Sequence, residues 1–310
     1  MQITGTFIDE ISHDIPHQNW GDKEWDADFA HMKKIGINTV ILIRSGYKRF
    51  LTYPSQYLIN QHDCFKPSKD LVKLFLELSE KYGMVFYLGI YDSGKYWDTG
   101  DMRHEIDINL HVIEEVYKAY GHYKSFGGWY LSLELSRKTK GAIDSISKLG
   151  KQCKAISNGL PVLISPWIDG EKAVSATSNT LIKEKTVSIH QHEKEWNEIF
   201  DGIKEAVDIV AFQDGHVDYY ELENYLIVNK GLADKYGLQS WTNTESFDRD
   251  MPIKFMPIKF EKILLKLEAA KKAGCKKAIT FEFSHFMSPQ SAYIQAHHLY
   301  NRYLEYFGIK

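Results

Sequence analysis

The feature that most constrains the fold is a junction that recurs four times along the chain. Each junction is a glycine that follows a lysine by two positions and precedes an apolar run; the four glycines are Gly36, Gly83, Gly237 and Gly274. Lysine stabilises the negative end of a helix, and glycine adopts the left-handed conformation that closes it. Each junction therefore predicts the end of a helix and the start of a buried strand.

The segments between the junctions have the periods expected of alternating helices and strands. Leu71, Leu74, Phe75 and Leu78 recur at helical spacing behind Ser68, which we expect to be the N-cap. The apolar runs predict eight strands, over residues 3–8, 38–43, 84–90, 127–134, 161–165, 208–213, 238–243 and 277–283. Helices are predicted near residues 23–35, 68–82, 104–124, 141–157, 192–206, 217–236, 258–273 and 289–306.

Eightfold strand–helix alternation predicts an α/β fold, a single (β/α)8 TIM barrel that covers residues 1–310. An open doubly wound sheet is the structural alternative. The turn after the first strand, residues 9–13, lacks the glycine-rich phosphate fingerprint that such a sheet often carries.

The composition argues against a nucleic-acid-binding protein, a membrane-spanning protein and a disulfide-rich or zinc-binding protein. The formal net charge is −3, so there is no basic excess to hold nucleic acid. No apolar run is long enough to span a membrane, and the three cysteines have no metal or disulfide spacing. The first residues contain no signal-peptide core, which indicates a cytoplasmic protein if Met1 is the native start and an exported one if a signal was removed. The oligomeric state is left open.

Polar and aromatic residues gather at the predicted strand ends, where barrel active sites lie. In chain order they are Asp9, Arg44, Tyr91, Asp92, Trp97, Glu134, Trp167, Gln213, Asp214, Trp241, Asn243, Glu245, Glu282 and His285. Aromatic faces stack on the CH face of a sugar, and carboxylate, amide and guanidinium groups bind its hydroxyls. Since aromatic residues make up 14% of the chain, this combination predicts a carbohydrate substrate.

Glu134 and Glu245 are the candidate catalytic pair. Glycoside hydrolysis needs two carboxyl groups, and strands four and seven face each other across a barrel mouth. We expect Glu134 to be the acid/base and Glu245 the nucleophile, with Glu282 as the replacement if Glu245 points away. Glu282 has an alternative role as an ion-pair partner of Arg44, and Asp214 has an alternative role as a helix N-cap.

This placement resembles the large clan of retaining glycosidases that carry an acid/base Glu at strand four and a nucleophile Glu at strand seven. The chain departs from that clan at Leu133, where the clan usually has Asn.

A wider resemblance is to uncharacterised glycosidase-like barrels grouped as a domain of unknown function. The matching segments are residues 5–7, 128–134, 212–215 and 284–289. This resemblance implies a carbohydrate-active barrel that needs no cofactor.

Other functions on the same fold stay open. One alternative is a carbohydrate-binding barrel without chemistry, and another is a fucosidase-like hydrolase. A metal-dependent hydrolase is a third, because His13, Asp14, Asp214 and His216 follow strands that meet at one end of the barrel.

Overall fold

The computed structural model describes residues 1–96, 101–133, 137, 139–170, 187–249 and 255–310. Eight strands form a closed barrel, in which each pairs in parallel with its neighbours in sequence and the last pairs with the first. They are β1 (Ile3–Ile8), β2 (Thr39–Leu42), β3 (Val85–Gly89), β4 (Phe126–Tyr130), β5 (Val162–Ile164), β6 (Ile209–Gln213), β7 (Gln239–Asn243) and β8 (Lys277–Thr280). The predicted TIM barrel is confirmed.

A helix follows each strand. These helices are α1 (Asp22–Lys34), α2 (Leu71–Tyr82), α3 (Arg103–Tyr120), α4 (Ala142–Ile156), α5 (Ile189–Ile203), α6 (Leu222–Tyr236), α7 (Phe260–Lys272) and α8 (Ile294–Phe307). Additional short helices are Gln56–His62 and Phe283–Phe286. Within the described part of the chain, no helix is both long and apolar enough to cross a membrane.

Short strands outside the barrel lie in the loops at its mouth. Gly46–Tyr47 pairs with Phe50–Leu51 and with Tyr91–Asp92. Phe247–Asp248 pairs with Met256–Pro257. These small sheets extend the loops after β2, β3 and β7.

The junction glycines behave as predicted. Gly36, Gly83, Gly237 and Gly274 have φ angles of 94°, 63°, 74° and 78°, in the left-handed region that glycine adopts at little cost. The predicted N-cap of α2 is wrong: Asp70, not Ser68, accepts the hydrogen bond from the Lys73 amide, at 2.9 Å.

Apolar strand residues are buried on both faces of the barrel wall. Phe7, Ile41, Tyr130 and Trp241 belong to the interior cluster. Their strand neighbours, such as Val40, belong to the cluster between the barrel and its helices. Burial on both faces explains why the strands are continuous apolar runs.

The eighth strand is shorter than predicted. It ends at Thr280, and Glu282 begins the short helix Phe283–Phe286 by accepting hydrogen bonds from the Ser284 and His285 amides, at 3.2 and 2.5 Å. The alternating pattern of Phe281, Glu282 and Phe283 is therefore a helix start and not a strand end.

Candidate active site

A cavity of about 220 Å³ opens at the C-terminal ends of the strands. Its polar and charged lining consists of Asp9, Ser12, His13, Asp14, Arg44, Asp92, Gln213, Asn243, Glu245 and Arg249. Its aromatic lining consists of Phe7, Tyr47, Tyr130, Trp167, Phe247, Phe255 and Phe281. This is the face on which TIM barrels place their active sites.

Glu245 follows β7 and is 2% exposed within this cavity. Its two carboxylate oxygens accept hydrogen bonds from Nε and Nη2 of Arg249, both at 2.7 Å. Burial raises the pKa of Glu245, but the charge and hydrogen bonds of Arg249 outweigh it, so the pKa lies well below its ordinary value. A Cβ atom at Gly215 would lie 1.8 Å from the Glu245 carboxylate, so a side chain there would displace that carboxylate. Glu245 is thus an oriented, ionised carboxylate.

Asp214 contacts the backbone of Glu245 and does not line the cavity. Its Oδ1 accepts hydrogen bonds from Lys266 Nζ at 2.7 Å and from the Glu245 amide at 3.1 Å. Lys266 also donates to the Glu245 carbonyl at 3.1 Å. Burial raises the pKa of Asp214 although Lys266 acts in the opposite direction. The expected substrate contact of Asp214 is replaced by a buried ion pair.

Glu282 and His285 are likewise bonded to each other, outside the cavity lining. His285 Nδ1 lies 2.6 Å from Glu282 Oε1, and His285 Nε2 lies 2.6 Å from the Pro16 carbonyl oxygen. Burial lowers the pKa of His285, but the charge and hydrogen bond of Glu282 raise it more, to about 9. The structure therefore places neither Glu282, the expected replacement nucleophile, nor His285, an expected substrate ligand, in the cavity lining.

The expected Glu282–Arg44 pair is also wrong, because Arg44 turns towards the first and third strands. Its Nε lies 3.2 Å from Asp92 Oδ2, and its Nη1 donates to Ser12 Oγ at 2.9 Å. Arg44 and Asp92 line the cavity.

Asp9 offers a buried acceptor to the cavity. Its Oδ1 accepts hydrogen bonds from the Ile11 and Ser12 amides, at 3.0 and 2.9 Å. Its Oδ2 is buried and has no hydrogen-bond partner among the residues that the structure describes. A donor group on a bound molecule would satisfy it.

A second acceptor of this kind lies on β7, two strands from β1 around the barrel. Asn243 Nδ2 donates to Ser165 Oγ at 3.0 Å, which leaves Oδ1 buried and without a partner among the described residues. Gln213 Nε2 donates to the Ser165 carbonyl at 2.8 Å. Trp167 lies beside them, half-buried, with its ring edge-on to His216 at 5.8 Å.

Two predicted ligands do not line the cavity. Trp241 lies in the interior cluster of the barrel, under the Lys277 ammonium group at 5.1 Å from its ring centre. Tyr91 is buried beside Cys64, and its hydroxyl donates to the Lys48 carbonyl at 2.5 Å. Trp241 points into the barrel on the same side of β7 as Asn243 but lies deeper, and Tyr91 alternates with Asp92, which lines the cavity. Glu134 and Trp97 lie outside the described residues.

Sequence reasoning missed several lining residues. Arg249 was recognisable as a cation four positions after the candidate nucleophile. The apolar wall of Phe247, Phe255 and Phe281 arises from loop packing, with ring centres 4.9 Å apart for Phe247 and Phe255 and 6.1 Å apart for Phe247 and Phe281. No local signal marks these phenyl rings as cavity residues.

The proposed histidine and aspartate metal cluster does not assemble. Across the described ranges, no group of three or more His, Cys, Asp or Glu side chains is arranged to hold a metal ion.

Comparisons with solved structures agree with the barrel fold described above. A proposed alpha-L-fucosidase from Bacteroides thetaiotaomicron VPI-5482 is 68% identical, with a TM-score of 0.95 over 100% of this chain and 94% of that chain. An endo-1,4-beta-D-mannanase from Thermotoga petrophila RKU-1 is 10% identical, with a TM-score of 0.59 over 91% and 88% of the two chains. A GH2 beta-galacturonidase from Eisenbergiella tayi is 13% identical, with a TM-score of 0.55 over 91% and 43%.

These last two similarities show the fold alone, which is that of TIM-barrel glycoside hydrolases. No match was found among curated proteins. Residues 3–293 match the family described as "Domain of unknown function (DUF4434)". The chain therefore belongs to the DUF4434 family, with a barrel of the glycoside hydrolase type.

Proposed function

We propose that this protein is a retaining glycoside hydrolase in which Glu245 is the nucleophile and Glu134 the acid/base. The observation that carries the proposal is the Glu245 carboxylate, buried at the end of β7, lining the cavity and bonded through both oxygens to Arg249. A nucleophile must be ionised and fixed in direction, and the Arg249 pair provides both conditions.

The second carboxyl group is assigned from the sequence. Glu134 follows the buried Leu133 after β4, and β4 lies across the barrel from β7. In a retaining enzyme the two carboxyl groups are about 5–5.5 Å apart, and the acid protonates the leaving oxygen before it activates water. This assignment predicts that separation between Glu134 and Glu245.

The substrate we propose has an uncharged sugar in the cavity. The described lining contains the acids Asp9, Asp14, Asp92 and Glu245 against the bases Arg44 and Arg249. Both arginines already pair with carboxylates, so neither is set to receive a sugar carboxylate. The buried acceptors on Asp9 and Asn243 call for hydroxyl donors instead.

Aromatic side chains complete the proposed recognition. Trp167 offers a stacking face, and Gln213 lies beside it. The wall of Phe247, Phe255 and Phe281 suits an apolar substituent, such as the methyl group of fucose. Fucosides therefore head the substrates to be tested, in keeping with the name of the 68% identical relative.

The test is product release from aryl fucosides, mannosides, galactosides and galacturonides, and from the oligosaccharides mannohexaose and lacto-N-fucopentaose. Glu245→Gln should abolish turnover, and Glu134→Gln should lower it by a factor of about 10² or more. Aryl glycosides with a strongly activated leaving group should be spared in Glu134→Gln, because they need no proton.

The matched control is Glu261→Gln, which changes an exposed glutamate on α7 and should keep full activity. Equal activity of wild type and Glu245→Gln would remove the nucleophile assignment. Sugar binding without turnover by the wild type would instead favour the non-catalytic carbohydrate-binding barrel.

A further inference from the structure

A second concavity lies beside the candidate active site. It has a volume of about 620 Å³ and is walled by the loop after β1 and the loop after β2. We call it the side groove and define it by Trp20, Phe50, Phe65, His17, Asn19 and Ser68. Its volume lies in the range of ligand-binding clefts.

The side groove and the cavity meet at the hairpin after β2. Tyr47 and Phe50 are directly opposite each other in the antiparallel strand pair of this hairpin, so their Cβ atoms lie on the same face, about 5 Å apart. Tyr47 lines the cavity, and Phe50 lines the side groove. This hairpin therefore borders both concavities.

The loop after β1 forms the wall that the cavity and the side groove share. Ser12 faces the cavity and the adjacent Ile11 faces the groove. Asp9 fixes both positions, because its Oδ1 accepts hydrogen bonds from both amides.

The groove carries apolar rings that the fold does not bury. Phe50 is 63% exposed and Phe65 is 48% exposed, with their ring centres 5.4 Å apart. The Arg49 guanidinium lies over the Phe65 ring, 4.2 Å from its centre. Neighbouring exposed rings of this kind mark binding surfaces.

Polar side chains surround these rings, and two cations at the rim have carboxylate partners within the protein. His17, Asn19 and Ser68 supply donors and acceptors along the groove. The cation Lys69 pairs with Asp22, and Arg49 pairs with Asp63. Lys66 adds an exposed cation to the lining. Aromatic rings among hydrogen-bonding side chains suit a polyhydroxylated ligand.

Resting on the proposed function, we propose that the side groove binds the sugar units of an oligosaccharide that extend beyond the unit held in the cavity. The Phe50 ring would contact those units, and Phe65 would support it from the side. The enzyme would then prefer oligosaccharides to simple aryl glycosides.

The experiment compares wild type, Phe50→Ala, Phe65→Ala and the double variant. Tyr306→Ala is the matched control, since Tyr306 is 55% exposed near the end of α8, away from the groove. The measurements are kcat/KM on the aryl glycosides, mannohexaose and lacto-N-fucopentaose, and calorimetric binding of the two oligosaccharides to these variants in a Glu245→Gln background.

Each groove variant should lose a factor of about five or more in kcat/KM and in affinity for the oligosaccharides, with the loss confined to them. Equal losses on aryl glycosides, or oligosaccharide values equal to those of Tyr306→Ala, would overturn the proposal. If no substrate is cleaved, the proposed hydrolysis fails, and oligosaccharide binding alone tests the side groove. Weaker binding by the groove variants would then support the side groove as a sugar-binding site. Unchanged or absent oligosaccharide binding would refute it.

Discussion

Replacing Arg249 with methionine is expected to raise the pKa of the Glu245 carboxyl group by about three units. Arg249 Nε and Nη2 each lie 2.7 Å from a carboxylate oxygen, and the Glu245 side chain is 3% exposed. Opposite charges about 4 Å apart interact by about 4 kcal/mol at an effective dielectric constant of about 20, which corresponds to about three pKa units. Burial, which raises the pKa of Glu245, would then be opposed mainly by Lys266 and His216.

The same change reverses the sign of a pH effect on stability. In the wild type the folded pKa of Glu245 lies below its unfolded value of about 4.3, so its contribution to the unfolding free energy is present above that pH and is lost as the pH falls. In Arg249→Met the folded pKa is expected to exceed the unfolded value. Glu245 then disfavours folding as the pH rises above about 4.

The assay is a carbon-13 NMR titration of the glutamate carboxyl carbons, with the Glu245 signal assigned by its absence in Glu245→Gln. Urea unfolding across the same pH range supplies the stability. Arg302→Met is the matched control, because Arg302 contacts Glu261 on the exposed outer helices. If Glu245 titrates at the same pH in Arg249→Met as in the wild type, Arg249 does not hold it ionised and the nucleophile argument loses its physical basis.

Two further predictions concern other buried groups. Burial raises the pKa of Asp28 to about 7, against the hydrogen bonds of two serines, so the unfolding free energy should fall as the pH rises from about 4 to about 7. Asp28→Asn should remove that slope and gain up to about 4 kcal/mol above pH 7 in urea unfolding; an unchanged slope would show that the Asp28 carboxyl group is not its source. Trp167→Ala should weaken sugar binding about tenfold in calorimetry with little change in melting temperature. Trp241→Ala should lower the unfolding free energy by about 3–5 kcal/mol, and the folded variant should bind sugar as the wild type does. Weaker binding by Trp241→Ala together with lower stability of Trp167→Ala would show that the roles of the two tryptophans are the other way round.

The barrel was predictable because its signals are local. A lysine, a glycine and an apolar run fix a helix end and a strand start within a few residues, and Gly83 and Gly237 take the left-handed conformation that this pattern requires. The error at Ser68 is also local: Ser68 and Asp70 are both good N-caps, and the choice between them depends on where α2 packs.

The roles of the strand-end carboxylates were not predictable in this way, because their partners are distant in sequence. Asp214 is neutralised by Lys266, 52 positions along the chain. Glu282 has the pattern of a strand residue, yet its carboxylate accepts two amide hydrogen bonds and starts a helix. An Asp or Glu at a predicted strand end indicates a carboxylate near the barrel mouth. Whether that carboxylate faces the cavity depends on the packing of residues that are distant in sequence.

The loop after β1 shows what most of these carboxylates do. Both oxygens of Glu10 accept amide hydrogen bonds, from Gln18 at 3.0 Å and Asn19 at 2.9 Å. His285, held by Glu282, meets the carbonyl of Pro16 in the same loop. These carboxylates use their lone pairs on backbone and neighbouring side chains, so they shape the wall shared by the cavity and the side groove. Asp9 differs because it lines the cavity with one buried oxygen that has no partner among the described residues, so we propose that it contacts the substrate beside Glu245.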